Sequence, residues 1–125
     1  MIIFDLKNNT CERFEPYGSI LMGGEPGTLE TSKRFDKDFG KVLKKFMPKM
    51  KYFTPFKFCP EKSFQVYNDD YGYFYKKDPG GFCAVWSFWW ADLRLKYPDI
   101  DRRELLLVAK DLIKESPVTF KQFIR

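Results

Sequence analysis

Cys83 is the side chain of this sequence best placed for covalent chemistry. It stands in Asp78-Pro79-Gly80-Gly81-Phe82-Cys83-Ala84-Val85-Trp86-Ser87-Phe88-Trp89-Trp90-Ala91-Asp92, a stretch that holds all three tryptophans. Pro79, Gly80 and Gly81 break regular structure, and from Phe82 nearly every residue is apolar until Asp92. That pattern predicts a helix buried on most of its circumference. Cys83 then falls in the first turn, beside unpaired backbone N–H groups and the positive end of the helix dipole, where thiolate is favoured over thiol. A nucleophile would be built there. The competing reading is a core cysteine, because unpaired Cys commonly packs as a small buried hydrophobe. The chain has no histidine, so a mechanism that needs an imidazole base is not completed by these residues alone.

Two other polar side chains stand at element boundaries. Glu15, in Glu15-Pro16-Tyr17-Gly18, ends a strand, where a carboxylate can be presented or can simply be solvated. Gln65 follows Cys59-Pro60-Glu61-Lys62-Ser63-Phe64 and precedes a connection rich in Tyr and Asp; read alone, it is a polar surface residue.

The elements that must position these groups follow from periodicity and punctuation. Ile2-Ile3-Phe4 and Thr10 to Phe14 are β-prone runs joined at Lys7-Asn8-Asn9, which predicts a hairpin, with Glu12 and Arg13 interrupting the apolar character of the second strand. Ser19 to Glu30 reads as a loop. Phe35, Phe39, Val42, Leu43, Phe46 and Met50 repeat at helical spacing, with Thr31 or Ser32 as cap and Pro48 as stop, so the helix should lay its apolar face on the sheet. Tyr52-Phe53 and Phe56-Lys57-Phe58 suggest one strand broken at Thr54-Pro55, or an edge strand, given the proline. Asp101-Arg102-Arg103-Glu104 has capping-box spacing and opens a helix through Ile113, and a short helix is expected over Thr119 to Ile124.

Composition bounds the function classes. One domain of 125 residues with 44% hydrophobic and 19% aromatic residues can bury a core. Cys11, Cys59 and Cys83 are odd in number and widely spaced, which indicates neither a disulfide framework nor a metal site, and no cofactor motif is present. An intracellular setting without membrane attachment is expected. The net charge of +5 is concentrated between Lys33 and Lys51, where eight basic residues face Asp36 and Asp38. Such a helix is a solvated face or a contact for an acidic surface.

The order Phe14-Glu15-Pro16-Tyr17-Gly18, then Cys59-Pro60 with Gln65, then Gly80-Gly81-Phe82-Cys83-Ala84-Val85-Trp86-Ser87 resembles cysteine peptidases of the ubiquitin-like-protein (SUMO) protease and adenovirus endopeptidase group, as encoded by large DNA viruses. The resemblance implies an α+β, papain-like fold: a small antiparallel or mixed sheet packed against the buried Cys-bearing helix and further helices, cut short at both ends. It implies Cys83 as nucleophile, Gln65 as oxyanion donor and Glu15 as the acid that orients the catalytic imidazole. The substrate it implies is a ubiquitin-like protein or a viral polyprotein cleaved after small residues. Ala84 replaces the usual Gly after the cysteine, and Gln65 lies 18 residues upstream of Cys83, farther than in many members. The histidine of the family would precede Met1, so this chain is expected to be inactive, as a fragment or shortened paralogue. Two other functions fit the residues: a catalytically dead module that binds a modifier tail or virion partner, and, last, a nucleic-acid binder using the basic helix, with no base-reading motif beside it.

Overall fold

The structure is a computed structural model of the 125-residue chain, and it describes residues 1–16, 18–19, 28–61, 83–118 and 122–123. Strand β1 (Ile2–Asp5) and strand β2 (Thr10–Arg13) form the expected hairpin, antiparallel with Ile3 opposite Glu12. The turn is closed by Asp5, whose carboxylate accepts from the backbone and side-chain N–H groups of Asn8 at 3.0 and 2.7 Å. Asn9 takes the left-handed conformation at φ 52°, which Asn tolerates better than most residues. Strand β3 (Lys51–Phe53) runs parallel to β2 on its other side, giving the order β1-β2-β3 with β2 central.

Helices cover both faces of that small sheet. Helix α1 (Thr28–Phe46) precedes β3, helix α2 (Pro55–Phe58) follows it, and helices α3 (Cys83–Lys96) and α4 (Arg102–Glu115) complete the described elements. Period-two alternation on β2 decides what each face meets. Thr10, Glu12 and Phe14 meet α3 and α4; Arg13, on the opposite face, meets α1. The main core forms on the first face, where Phe14, Phe58, Cys59, Trp86, Trp90, Leu105, Leu106 and Ile113 are buried together. Trp90 is its centre, stacked on Phe14 at 5.3 Å between ring centroids and on Phe58 at 5.7 Å.

Four local expectations change. α1 begins at Thr28, before the expected cap, and Ser32 lies inside it accepting a hydrogen bond from Arg13 Nη2. Its sheet-facing residues are Ser32, Asp36 and Leu43, while Phe35, Val42 and Phe46 stay exposed, because the buried Arg13 guanidinium requires an acid opposite it. Phe56-Lys57-Phe58 is helical and not the second half of a broken strand, since Pro55 suits a first helical turn, where no backbone donor is needed. Helix α3 buries only Trp86, Trp90 and Arg94, leaving Phe88 and Leu95 at 74% and 80% exposure. The small sheet covers one stripe of it, whatever the number of apolar residues. The expected cap of α4 is present: Asp101 accepts from the backbone N–H groups of Arg103 and Glu104 at 2.9 and 3.2 Å. Most of Thr119 to Ile124 lies outside the described residues, but Phe123 reaches back against Trp86 and Trp89.

Gly40, in the middle of α1, has room for a side chain: a Cβ there would meet Tyr52 Cδ1 at 3.7 Å, an ordinary contact. Gly40→Ala should therefore stabilise the protein by about 1 kcal/mol, raising Tm by roughly 4 °C in a thermal melt. A fall in Tm would show that α1 is not seated as described.

Candidate functional site

Cys83 is the first described residue of α3 and is half-buried; the Pro79-Gly80-Gly81 breaker lies outside the described residues. Glu15 is not the solvated strand-end acid of the bland reading. Its side chain is 14% exposed and accepts from Arg13 Nη1 at 3.1 Å, while its backbone N–H donates to Cys59 Sγ at 3.5 Å. Gln65 lies outside the described residues. The structure thus places two of the three expected site residues and ties Glu15 to the arginine beside it on the same strand face.

The other two thiols are sealed. Burial, then the neighbouring charge of Glu12, pushes the Cys11 thiol up to about 11. Burial pushes the Cys59 thiol up to about 12, against the hydrogen bond from Glu15. Among the described residues no group of three or more His, Cys, Asp or Glu could hold a metal ion, and no helix is long and apolar enough to cross a membrane.

Among the described residues a concavity lies elsewhere, between α2 and α4. It holds about 260 Å³ and is lined by Phe56, Phe58, Cys59, Pro60, Leu106 and Leu107, with Lys57, Arg103, Lys110, Glu61 and Ser19 around them. Its floor is fixed: Phe58 and Leu106 are core residues, Cys59 N–H donates to the Pro55 carbonyl at 2.8 Å, and Ser19 N–H donates to the Pro60 carbonyl at 2.9 Å. Phe56 and Leu107 remain open, at 39% and 42% exposure. Among the described residues the rim carries Lys57, Arg103 and Lys110 beside Glu61. Such a volume falls just short of the ~300–1,000 Å³ typical of small-molecule pockets and suits one inserted side chain better than an enclosed cofactor.

The placement of α4 depends on residues that no motif marks. Glu12, 2% exposed, accepts from Trp90 Nε1 at 2.8 Å and from Arg102 Nε, and pairs with Arg94 Nε at 3.3 Å. Arg102 also donates to Thr10 Oγ1 at 2.7 Å and lies 4.0 Å over the Phe53 ring. Arg94 donates to the carbonyls of Tyr97, Pro98 and Ile100, fixing the α3–α4 connection. A sequence signal for the groove did exist: Leu105-Leu106-Leu107-Val108 is a wider apolar arc than one packed stripe of a helix requires.

Against known proteins, the chain matches a protein of Acanthamoeba polyphaga mimivirus named as an ankyrin repeat protein, at 29% identity over 132 aligned residues. The alignment covers 99% of this chain, which spans 17% of the length of that relative. No family model and no solved structure matches. This finding corrects the peptidase assignment. The likeness to SUMO and adenovirus-type thiol proteases rested on short motifs, whereas the match extends over the whole chain and leads to a protein of another kind. The hydrolase reading, with its ubiquitin-like or polyprotein substrate, is withdrawn. The viral context that accompanied it agrees with the match. The β1–β3 sheet is not part of the stacked helix pairs that ankyrin repeats form, so the alignment conveys relation to a segment of that protein.

Burial separates the thiols in a way that can be counted. In the folded protein at about pH 8, an alkylating reagent should modify Cys83 readily and leave Cys11 and Cys59 unmodified; all three should react after denaturation. Labelling of Cys59 in the native protein, read by peptide mass spectrometry, would contradict the sealed groove floor.

Proposed function

We propose that this chain is a non-catalytic module that binds another protein, and that the α2–α4 groove takes an acidic, extended segment of that partner with one large apolar side chain as anchor. The observation that carries the reading is the groove itself: a fixed apolar floor, two half-open apolar walls in Phe56 and Leu107, and, among the described residues, the cations Lys57 and Arg103 on the rim. Buried anchors supply most of the energy at such contacts, and surrounding charges select the partner and speed its encounter. The mimivirus relative is named as an ankyrin repeat protein, a kind that presents extended binding surfaces, and a further binding module beside such repeats fits that name.

The test is a fluorescence-anisotropy titration with labelled peptides of one acidic sequence carrying Phe, or Ala, at the centre. The Phe peptide should bind saturably and at least about tenfold more tightly than the Ala peptide, the equivalent of about 1.4 kcal/mol. Leu107→Glu should abolish the preference, Lys57→Glu with Arg103→Glu should weaken both peptides, and Cys83→Ala should change nothing. Equal binding of the two peptides, or full binding by Leu107→Glu, would sink the proposal.

A further inference from the structure

Helix α1 meets the sheet through Ser32, Asp36 and Leu43, and this leaves its phenylalanines beside the contact. Phe35, Val42 and Phe46 are 46%, 52% and 72% exposed; with half-buried Phe39 they stand at steps of four, three and four residues. That is the spacing of one seam along a helix, the pattern by which two helices pack. Part of the seam is held in place, because Phe35 stacks on Phe39 at 5.6 Å and Phe39 meets Tyr52 edge-on at 5.2 Å.

The row one residue earlier, Arg34, Asp38, Lys41 and Lys45, flanks the seam with three cations and one acid. Asp38 is shared between Arg34 and Lys41. Asp36, the other acid of the region, faces inward to Arg13 and Tyr52 and offers nothing to the surface. Of the flanking row, Lys45 has no carboxylate partner among the described residues.

We infer that this seam docks an amphipathic helix of another protein, with apolar residues at heptad spacing and Glu or Asp beside them. A second copy of this chain would bring the same cationic row and be repelled. Nucleic acid would engage the lysines but leave the phenylalanines in water. The seam lies across the sheet from the α2–α4 groove, so it is a second surface and either can fail without the other.

The probe is a synthetic helical peptide with Leu at the seam positions and Glu beside them, titrated into the full chain by fluorescence anisotropy. Binding should saturate and weaken as salt is raised. Val42→Glu and Phe46→Glu, each shown by circular dichroism to keep the fold, should weaken it about tenfold or more, and Leu107→Glu should leave it unchanged. A control peptide with Ser in place of every Leu should not bind. The inference is overturned if the Leu peptide fails to bind, if the Ser peptide binds as well, or if Phe46→Glu binds normally. It is equally overturned if duplex or single-stranded nucleic acid displaces the probe, or if sedimentation shows a dimer of the chain that Phe46→Glu dissolves.

Discussion

Two adjacent charged residues on the central strand, Glu12 and Arg13, hold this fold together by pointing in opposite directions into buried surroundings. Glu12 reaches Trp90 and Arg94 on α3 and Arg102 on α4. Arg13 reaches α1, where Asp36 takes its Nε and Nη2 donors at 2.7 and 2.8 Å, and the Tyr52 hydroxyl donates to the same carboxylate at 2.6 Å. Removing such charges from water costs several kcal/mol per ion, and the attraction repays this only where the geometry is good and the remaining donors are satisfied. The Arg13 network meets that condition through its bonds to Asp36, Ser32 and Glu15; in the Glu12 network Trp90 and Arg102 donate to the carboxylate, while Arg94 Nε, 3.3 Å away, pairs with it by charge without a hydrogen bond. What they supply is register: a one-residue slip of β2 would turn Glu12 towards Asp36 and Arg13 towards two arginines.

That constraint explains which parts of the structure could be read from residue types and which could not. The hairpin and the Asp101 cap are set by neighbours in sequence, so alternation and spacing revealed them. The rotation of α1 is set by Arg13, many residues away, and a helical-period reading that counts only apolar positions turns the wrong face inward. The short helix at Pro55 and the half-exposed Trp-rich helix depart from expectation for related reasons: a proline suits both a broken strand and a first helical turn, and apolar content does not reveal how much surface the neighbours can cover.

The site was less legible than the fold. Gly-Gly-Phe-Cys-Ala-Val-Trp-Ser combines a breaker, a cysteine in a first helical turn and core aromatics, and each of these also serves a helix that only packs. Trp86 is fully buried and Glu15 pairs with Arg13, so both residues also serve the packing. The groove residues carried no motif because binding surfaces are built from ordinary side chains: Phe56, Leu107 and their cationic neighbours become a unit only once α2 and α4 are brought together. The same holds for the α1 seam, whose exposure follows from the burial of Asp36.

The central claim is that each charge of β2 fastens its own helical layer. Native-state hydrogen exchange read by mass spectrometry on two conservative variants tests it most directly. Glu12→Gln should speed amide exchange in α3 and α4 while α1 keeps its protection, and Asp36→Asn should do the reverse. Equal loosening of both layers in each variant, or no change in either, would contradict it.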